Sequence, residues 1–398
     1  MWHFKQSDAL RKPESLHDSY DFVVVGGGNA GCVLARRLTD QGRHTVLLVE
    51  KGDAGDSWTH RTPLPSFHHF SDGRHSTAFE SARDEQLGRS VTLISGLGLG
   101  GSTRINGGQY TCGVPGEYNA WAQDGNVGWA YNDLKQFFKM SETWIGPVPR
   151  EFHGAHGKWH SKGFAQVKSD VSPRTITSTM VECEIFGISS LISKDGTPLP
   201  HSKEQEDSTD PQNLPDFAVL SMKTSIGDPR TPGAELFKGL YVLNVALLRP
   251  KSSGRVLLRS TNPLEPPQCE TRYLTHPDDY HALRAGLRTS LAVSRTMREG
   301  GYDISDLSVP DVSSDETLDA YVRKHAMSMM HYSSTCRMAP RFDAKPGVVD
   351  ASLRVYGVQG LRIADASIIP VAPAAHPQAM VYAIAEKCAD MMLKDASK

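Results

Sequence analysis

The chain has 398 residues, 39% hydrophobic and 22% charged, values ordinary for a folded globular protein with room for two domains. Lys and Arg total 43 against 45 Asp and Glu, a formal charge of −2 that offers no global attraction to nucleic acid or acidic membranes. Neither is expected as a partner. The six cysteines (Cys32, Cys112, Cys183, Cys269, Cys336, Cys388) form no CxxC pair, so they read as separate thiols, and no metal site is expected. No apolar run of signal-peptide length precedes Tyr20, and none of 18 residues occurs anywhere. A cytoplasmic protein is therefore expected, with residues 1–19 as a flexible arm.

The first structured segment is Asp21-Phe-Val-Val-Val-Gly26, a β-branched run that reads as a buried parallel strand. Helical spacing follows over Ala30–Leu38, and His44–Glu50 predicts a second buried strand, giving a βαβ unit. Residues 51–90 are rich in Pro, His, Ser and Gly and read as irregular. A glycine-dense loop spans Gly96–Gly108, and Glu117–Trp144 predicts two helical pieces broken near Gly125–Trp129. Polar stretches at 147–163 and 193–215 read as loops. Tyr241–Leu248 and Arg255–Leu258 predict strands of a separate sheet joined by a turn through Lys251–Gly254. Helices are predicted over Pro277–Glu299 and Ser314–Lys324, a strand over Gly360–Asp365, and a closing helix over Gln378–Leu393.

Gly26-Gly-Gly28-Asn29-Ala30-Gly31 fits GxGxxG between a strand and a helix. Gly26 permits the tight turn, Gly28 lets a pyrophosphate approach the backbone, and Gly31 lets the helix pack against the strand. The helix N-terminus then offers amides and partial positive charge to phosphates. Glu50, followed by Lys51, ends the next strand 19 residues after Gly31, where a carboxylate can accept from ribose hydroxyls. The motif points to a dinucleotide without separating NAD from FAD.

A second motif, Gly96-Leu-Gly-Leu-Gly100-Gly101-Ser102-Thr-Arg-Ile-Asn106-Gly107-Gly108, resembles the signature of the glucose–methanol–choline oxidoreductases, a family of FAD enzymes. Tyr110, Gly113, Glu117–Trp121 and Gly125–Trp129 continue the resemblance; Leu97 departs from it, where the family usually has Arg or Lys. His331-Tyr-Ser-Ser-Thr-Cys336-Arg-Met338 is similar to the family's histidine segment, with Ser334 in place of a usual glycine. Ile363–Pro370 and His376-Pro377-Gln378 are similar to its last flavin-contacting stretch and second catalytic position.

The resemblance implies an α/β fold: a Rossmann-like FAD-binding domain with a second, α+β substrate domain built on an antiparallel sheet. Residues 20–165 would form the first part of the FAD-binding domain and 166–330 mainly the substrate domain. Residues 331–398 would return to the FAD-binding domain with the catalytic histidines. It implies oxidation of a CH–OH group of a small-molecule alcohol, by hydride transfer to flavin with a histidine as base. His331 would be the main base or hydrogen-bond partner of the substrate oxygen, and His376 the second member. Implied FAD contacts are Gly26, Gly28, Asn29, Ala30, Gly31, Glu50 and Lys51 in the first motif. Gly101, Ser102, Asn106, Gly107 and Gly108 follow in the second, and Asp365, Ala366, Pro377 and Gln378 in the last. With no secretion signal, an intracellular dehydrogenase in secondary metabolite biosynthesis is the expected setting. A flavin-containing lyase or other non-redox relative, or an inactive relative acting as a binding protein, stays open beside it.

His68, His69, His153, His156, His160 and His201 lie in polar loops and read as ordinary side chains. One element of the family pattern is missing. The middle section, which supplies FAD-domain strands and a second signature ending in Ser-Gly-hydrophobic-Gly, has no counterpart in residues 164–240. Skipped coding segments, a naturally shortened flavoenzyme and a fold retained without flavin are the three explanations. Loss of internal strands is expected to expose apolar surface and sheet edges.

Overall fold

The computed structural model describes residues 16–54, 72–144, 153–157, 159–161, 181–224 and 240–397. His68 and His69, and the His160 side chain, lie outside the described residues. Strand β1 (Phe22–Val25) pairs in parallel with β2 (Val46–Val49), Phe22 opposite Val46 and Val25 opposite Val49. Helix α1 (Asn29–Thr39) connects them, completing the predicted βαβ unit. Its buried face, Ala30 and Val33, packs on Val381 and Ala385 of the C-terminal helix α6 (Gln378–Ala396).

Among the described residues, β1 and β2 form a sheet of two strands. β1 has the sequence of a strand covered on both faces, yet Val23 is 58% and Val25 84% exposed. The predicted strand Gly360–Asp365 is not one: it makes only an isolated bridge from Arg362 to Arg354. The physical reason is shared. A strand exists only with a hydrogen-bonded neighbour, and among the described residues β1 has none beyond β2 and Gly360–Asp365 has no ladder partner.

Two further expectations are corrected. The irregular reading of 51–90 overlooks β3 (Ser76–Glu80), which pairs antiparallel with β4 (Thr92–Gly96), Ser76 opposite Gly96. β5 (Glu142–Trp144) pairs in parallel with β6 (Trp159–Ser161). The proposed hairpin of Tyr241–Leu248 with Arg255–Leu258 does not form. β7 (Val181–Gly187), β8 (Phe217–Thr224) and β9 (Leu240–Leu247) make an antiparallel sheet in that order. β10 (Arg255–Leu257) pairs instead with β11 (Gln268–Glu270). β8 offers β9 an eight-residue register with alternating apolar positions, which a three-residue strand cannot match.

Helix α4 (Pro277–Glu299) packs on the three-stranded sheet, Ala285 against Phe217 and Val219. Gly286 permits the close approach: a Cβ there would stand 2.4 Å from Val245 Cγ1. Ser314 caps α5 (Asp315–His325), its side chain accepting from Thr317 N. The main core lies between α2 (Pro115–Gln123), α3 (Tyr131–Ser141) and α6. It buries Tyr118, Trp121, Trp129, Phe137 and Phe138, each contributing about 2–3 kcal/mol by removal of apolar surface from water. The predicted break between α2 and α3 is present, with Gly125 and Gly128 at φ +89° and +83°.

Candidate functional site

The glycine loop is as tight as its motif requires. A Cβ on Gly31 would lie 1.8 Å from Gly26 O, and one on Gly101 2.8 Å from Gly28 Cα, so the two glycine motifs touch backbone to backbone. The N-terminus of α1 has no side-chain cap and no acid in its first turn. Its amides are thus available to an anionic group, which is what a pyrophosphate needs. This end opens on a cavity of about 1820 Å³.

Gly26, Gly28, Asn29, Ala30 and Gly31 line that cavity, with Gly101, Ser102, Asn106 and Gly107 beside them. From the C-terminal region, Asp365, Ala366, Pro377 and Gln378 line it too. Asn106 Nδ2 donates to Gln378 Oε1 at 2.6 Å, joining two of the predicted contact segments directly. Gly108 does not line the cavity but closes the turn, its amide donating to Asn106 Oδ1 at 3.1 Å. Asp365 is turned into local structure, accepting from Ser367 N and Oγ.

Glu50 stands differently from the expectation of a ribose ligand. Its carboxylate accepts from Gly27 N at 2.7 Å, Gly52 N at 2.8 Å and Gly98 N at 3.0 Å, splicing the glycine loops together. Burial alone would raise this carboxyl, but the amides of Gly52, Gly27 and Gly98 outweigh it and hold it below the ordinary value. Lys51 is exposed and does not line the cavity.

In the wall of the same cavity the structure brings His331 and His376 together. His376 Nδ1 lies 3.3 Å from His331 Nε2, with the rings perpendicular and their centroids 5.0 Å apart. The His331 segment runs along residues 366–368: Ser334 N donates to Ala366 O, and Cys336 N to Ser367 O. Ser334 stands at φ +69°, the left-handed region that explains the usual glycine. The loop carrying His376 is held from α2, Ala374 N donating to the buried carboxylate of Glu117. His376 N also donates to Thr111 Oγ1 at 3.1 Å. Burial pushes His331 down to about 4, with His376 reinforcing it, so the imidazole is neutral at physiological pH.

Sequence reasoning missed Glu184 on β7. Its carboxylate oxygens lie 3.2 and 3.3 Å from His376 Nε2, the two side chains being 9% and 12% exposed. The available signal was weak: two acids two positions apart, Glu182 and Glu184, in a short apolar strand. Among the other histidines, His153 stacks on Trp144 at 4.0 Å and bonds Glu142, and His201 bonds Glu206.

The cradle fits FAD at three points: open helix amides for the diphosphate, glycines against which a Cβ would collide, and a cavity lined also by two imidazoles. Two GMC oxidoreductase family models match the sequence, over residues 20–190 and 250–385. The chain is 25% identical to oxygen-dependent choline dehydrogenase of Yersinia pseudotuberculosis serotype IB, over 532 aligned positions covering 93% of each sequence. It is 23% identical to dehydrogenase str4 of Strobilurus tenacellus, over 579 positions covering 94% of each. Both alignments are longer than the 398-residue chain, so these relatives carry segments with no counterpart in it. Pyridoxine 4-oxidase from Mesorbium loti superposes with a TM-score of 0.72 at 18% identity, covering 94% of this chain and 99% of that one. A variant of the formate oxidase of Aspergillus oryzae RIB40 gives 0.75 at 17% identity, covering 95% and 98%. The α/β architecture is that of these flavoproteins. The chain belongs to the GMC oxidoreductase family and is an FAD-dependent oxidoreductase acting on CH–OH donors.

Proposed function

We propose that the chain oxidises a small-molecule alcohol at the His331–His376 pair, the two imidazoles together receiving the hydroxyl proton and holding the substrate oxygen. The observation that carries this reading is their 3.3 Å approach at the wall of the cavity that the uncapped end of α1 also lines. Two imidazoles in contact can offer one lone pair and one N–H donor, the pair an alcohol oxygen needs for deprotonation. FAD, when bound, supplies the hydride acceptor that no side chain provides. Gly26, Gly28 and Gly31 with the α1 amides would hold the diphosphate, while Asn106, Pro377 and Gln378 would border the ring end. Residues 366–368 keep the His331 segment in register with that end, and Glu117 keeps the His376 loop.

The visible spectrum of the purified protein, followed anaerobically with a panel of alcohols, tests this. Oxidised-flavin bands that bleach in the wild type, and persist unbleached in His331→Ala and His376→Ala, are expected. Normal bleaching in both variants sinks the assignment.

A further inference from the structure

Three side chains stand in one row across the antiparallel sheet. Glu184 on β7 is opposite Leu220 on β8, and Leu220 is opposite Asn244 on β9. Directly paired residues project from one face, and Met222, two positions on from Leu220, joins them. Leu220, Met222 and Asn244 line the cavity, while Phe217 and Val219 on the opposite face pack against Ala285 of α4. The Glu184 end of the row reaches the imidazoles, its carboxylate lying 3.2 Å from His376 Nε2. At about 4.8 Å per strand, Asn244 stands about 10 Å along the row from Glu184. Leu220, Met222 and Asn244 are uncharged, as are Met329 and Met330, which precede His331 and line the same cavity. Methionine adapts its shape and packs well on flat rings through its sulfur. Asn244 Nδ2 donates to Met222 Sδ at 3.2 Å; a thioether is a weak acceptor, so the amide gains by exchanging it for an oxygen.

We propose that this face of the sheet selects the substrate: a neutral alcohol whose apolar, ring-sized body lies on Leu220 and Met222 and whose far end accepts a hydrogen bond from Asn244 Nδ2. This rests on the alcohol-oxidising reading and names its substrate class. The span fits. With the carbinol at the imidazoles, a benzylic alcohol carrying an oxygen para to the carbinol bridges the row, given a hydrogen bond of about 2.9 Å at each end. A quaternary ammonium alcohol is disfavoured, because its fixed charge would leave water for a leucine and a thioether. The Glu184 carboxylate is already engaged by His376. A sugar would set several hydroxyls against Leu220 and Met222 without partners. Asn244 and Met222 decide which alcohol is held and touch no reacting atom.

The test uses para-methoxybenzyl and para-ethylbenzyl alcohol, which share a shape while only the first carries the distal oxygen. Anaerobic flavin reduction by each is compared in wild type and in Asn244→Leu, with Asn244→Thr as a second variant should the first fail to fold. The preference for the methoxy compound, as a ratio of second-order rate constants, is expected to fall about fivefold in the variant, the worth of one hydrogen bond. The electronic effect of the methoxy group is the same in both proteins and cancels. Choline is expected to reduce wild-type flavin at least about tenfold more slowly than the methoxy compound. Independently of turnover, calorimetry should show the product para-methoxybenzaldehyde binding the variant about fivefold more weakly, with para-ethylbenzaldehyde unaffected. An unchanged preference, unchanged aldehyde binding, or choline reducing the flavin as fast as the aryl alcohol overturns the proposal. Wild-type flavin that no alcohol bleaches would overturn the functional reading instead, leaving the aldehyde titration to judge the wall.

Discussion

Arg37 and Glu386 stand 349 positions apart in sequence, yet Arg37 Nε lies 2.6 Å from Glu386 Oε2 and its Nη2 2.8 Å from Oε1. The glutamate is 3% exposed, and Ser141 Oγ also donates to it at 3.4 Å. This two-pronged pair clamps the helix that begins at the glycine loop to the helix that ends the chain. It thereby fixes the distance between the diphosphate cradle and the His376 end of the site.

Arg37→Ala would leave the Glu386 carboxylate buried without its cation. A loss of about 3 kcal/mol is expected, read as a lower urea midpoint. Arg37→Met together with Glu386→Leu should recover most of it, because two apolar side chains need no partner. If the single variant unfolds at the wild-type midpoint, the clamp contributes nothing.

Ser334 carries a strained backbone at φ +69° beside the His331 segment. Ser334→Gly removes the Cβ that disfavours this region and is expected to raise stability by about 1 kcal/mol. Thermal unfolding of the two proteins under identical conditions measures it. A fall in Tm would mean that the Ser334 side chain matters more than the strain.

Burial, reinforced by His376, depresses His331 from 6.5 to about 4 in the folded protein. The unfolded chain therefore takes up this proton at higher pH than the native state. The stability tied to the neutral ring is complete above about pH 6.5 and is lost progressively as the pH falls towards about 4. The loss amounts to about 3 kcal/mol at most. Urea unfolding near neutral pH and at about pH 5 should show a steeper decline for wild type than for His331→Gln. Parallel pH profiles would contradict it.

Val25 is 84% exposed on a strand that, among the described residues, has one unpaired edge, a combination that favours pairing between chains. Val25→Lys should reduce concentration-dependent light scattering without lowering the unfolding midpoint, since little apolar burial is lost. Unchanged scattering would show that this edge plays no part in self-association.

Local chemistry explains what was legible in advance. The βαβ unit follows from β-branched runs around a glycine turn, and α4 begins at Pro277 and ends at Glu299 where its capping and breaking residues stand. The pairing of His331 with His376 was anticipated through two family-like segments, each readable over a few residues. Strand partnership was not legible, because hydrogen bonds across a sheet depend on which distant segment is present. β9 therefore joined β8 and not β10, and Gly360–Asp365 finds no ladder partner among the described residues.

Glu184 shows the same limit at the level of chemistry. Sequence alone determined that two imidazoles and a glycine cradle are encoded, since each motif is contiguous. Only the tertiary structure decided that a carboxylate from β7 stands behind one ring and, among the described residues, none behind the other. The electrostatics of a buried pair depend on what the folded chain packs around it, and that neighbour lies 192 residues away in sequence.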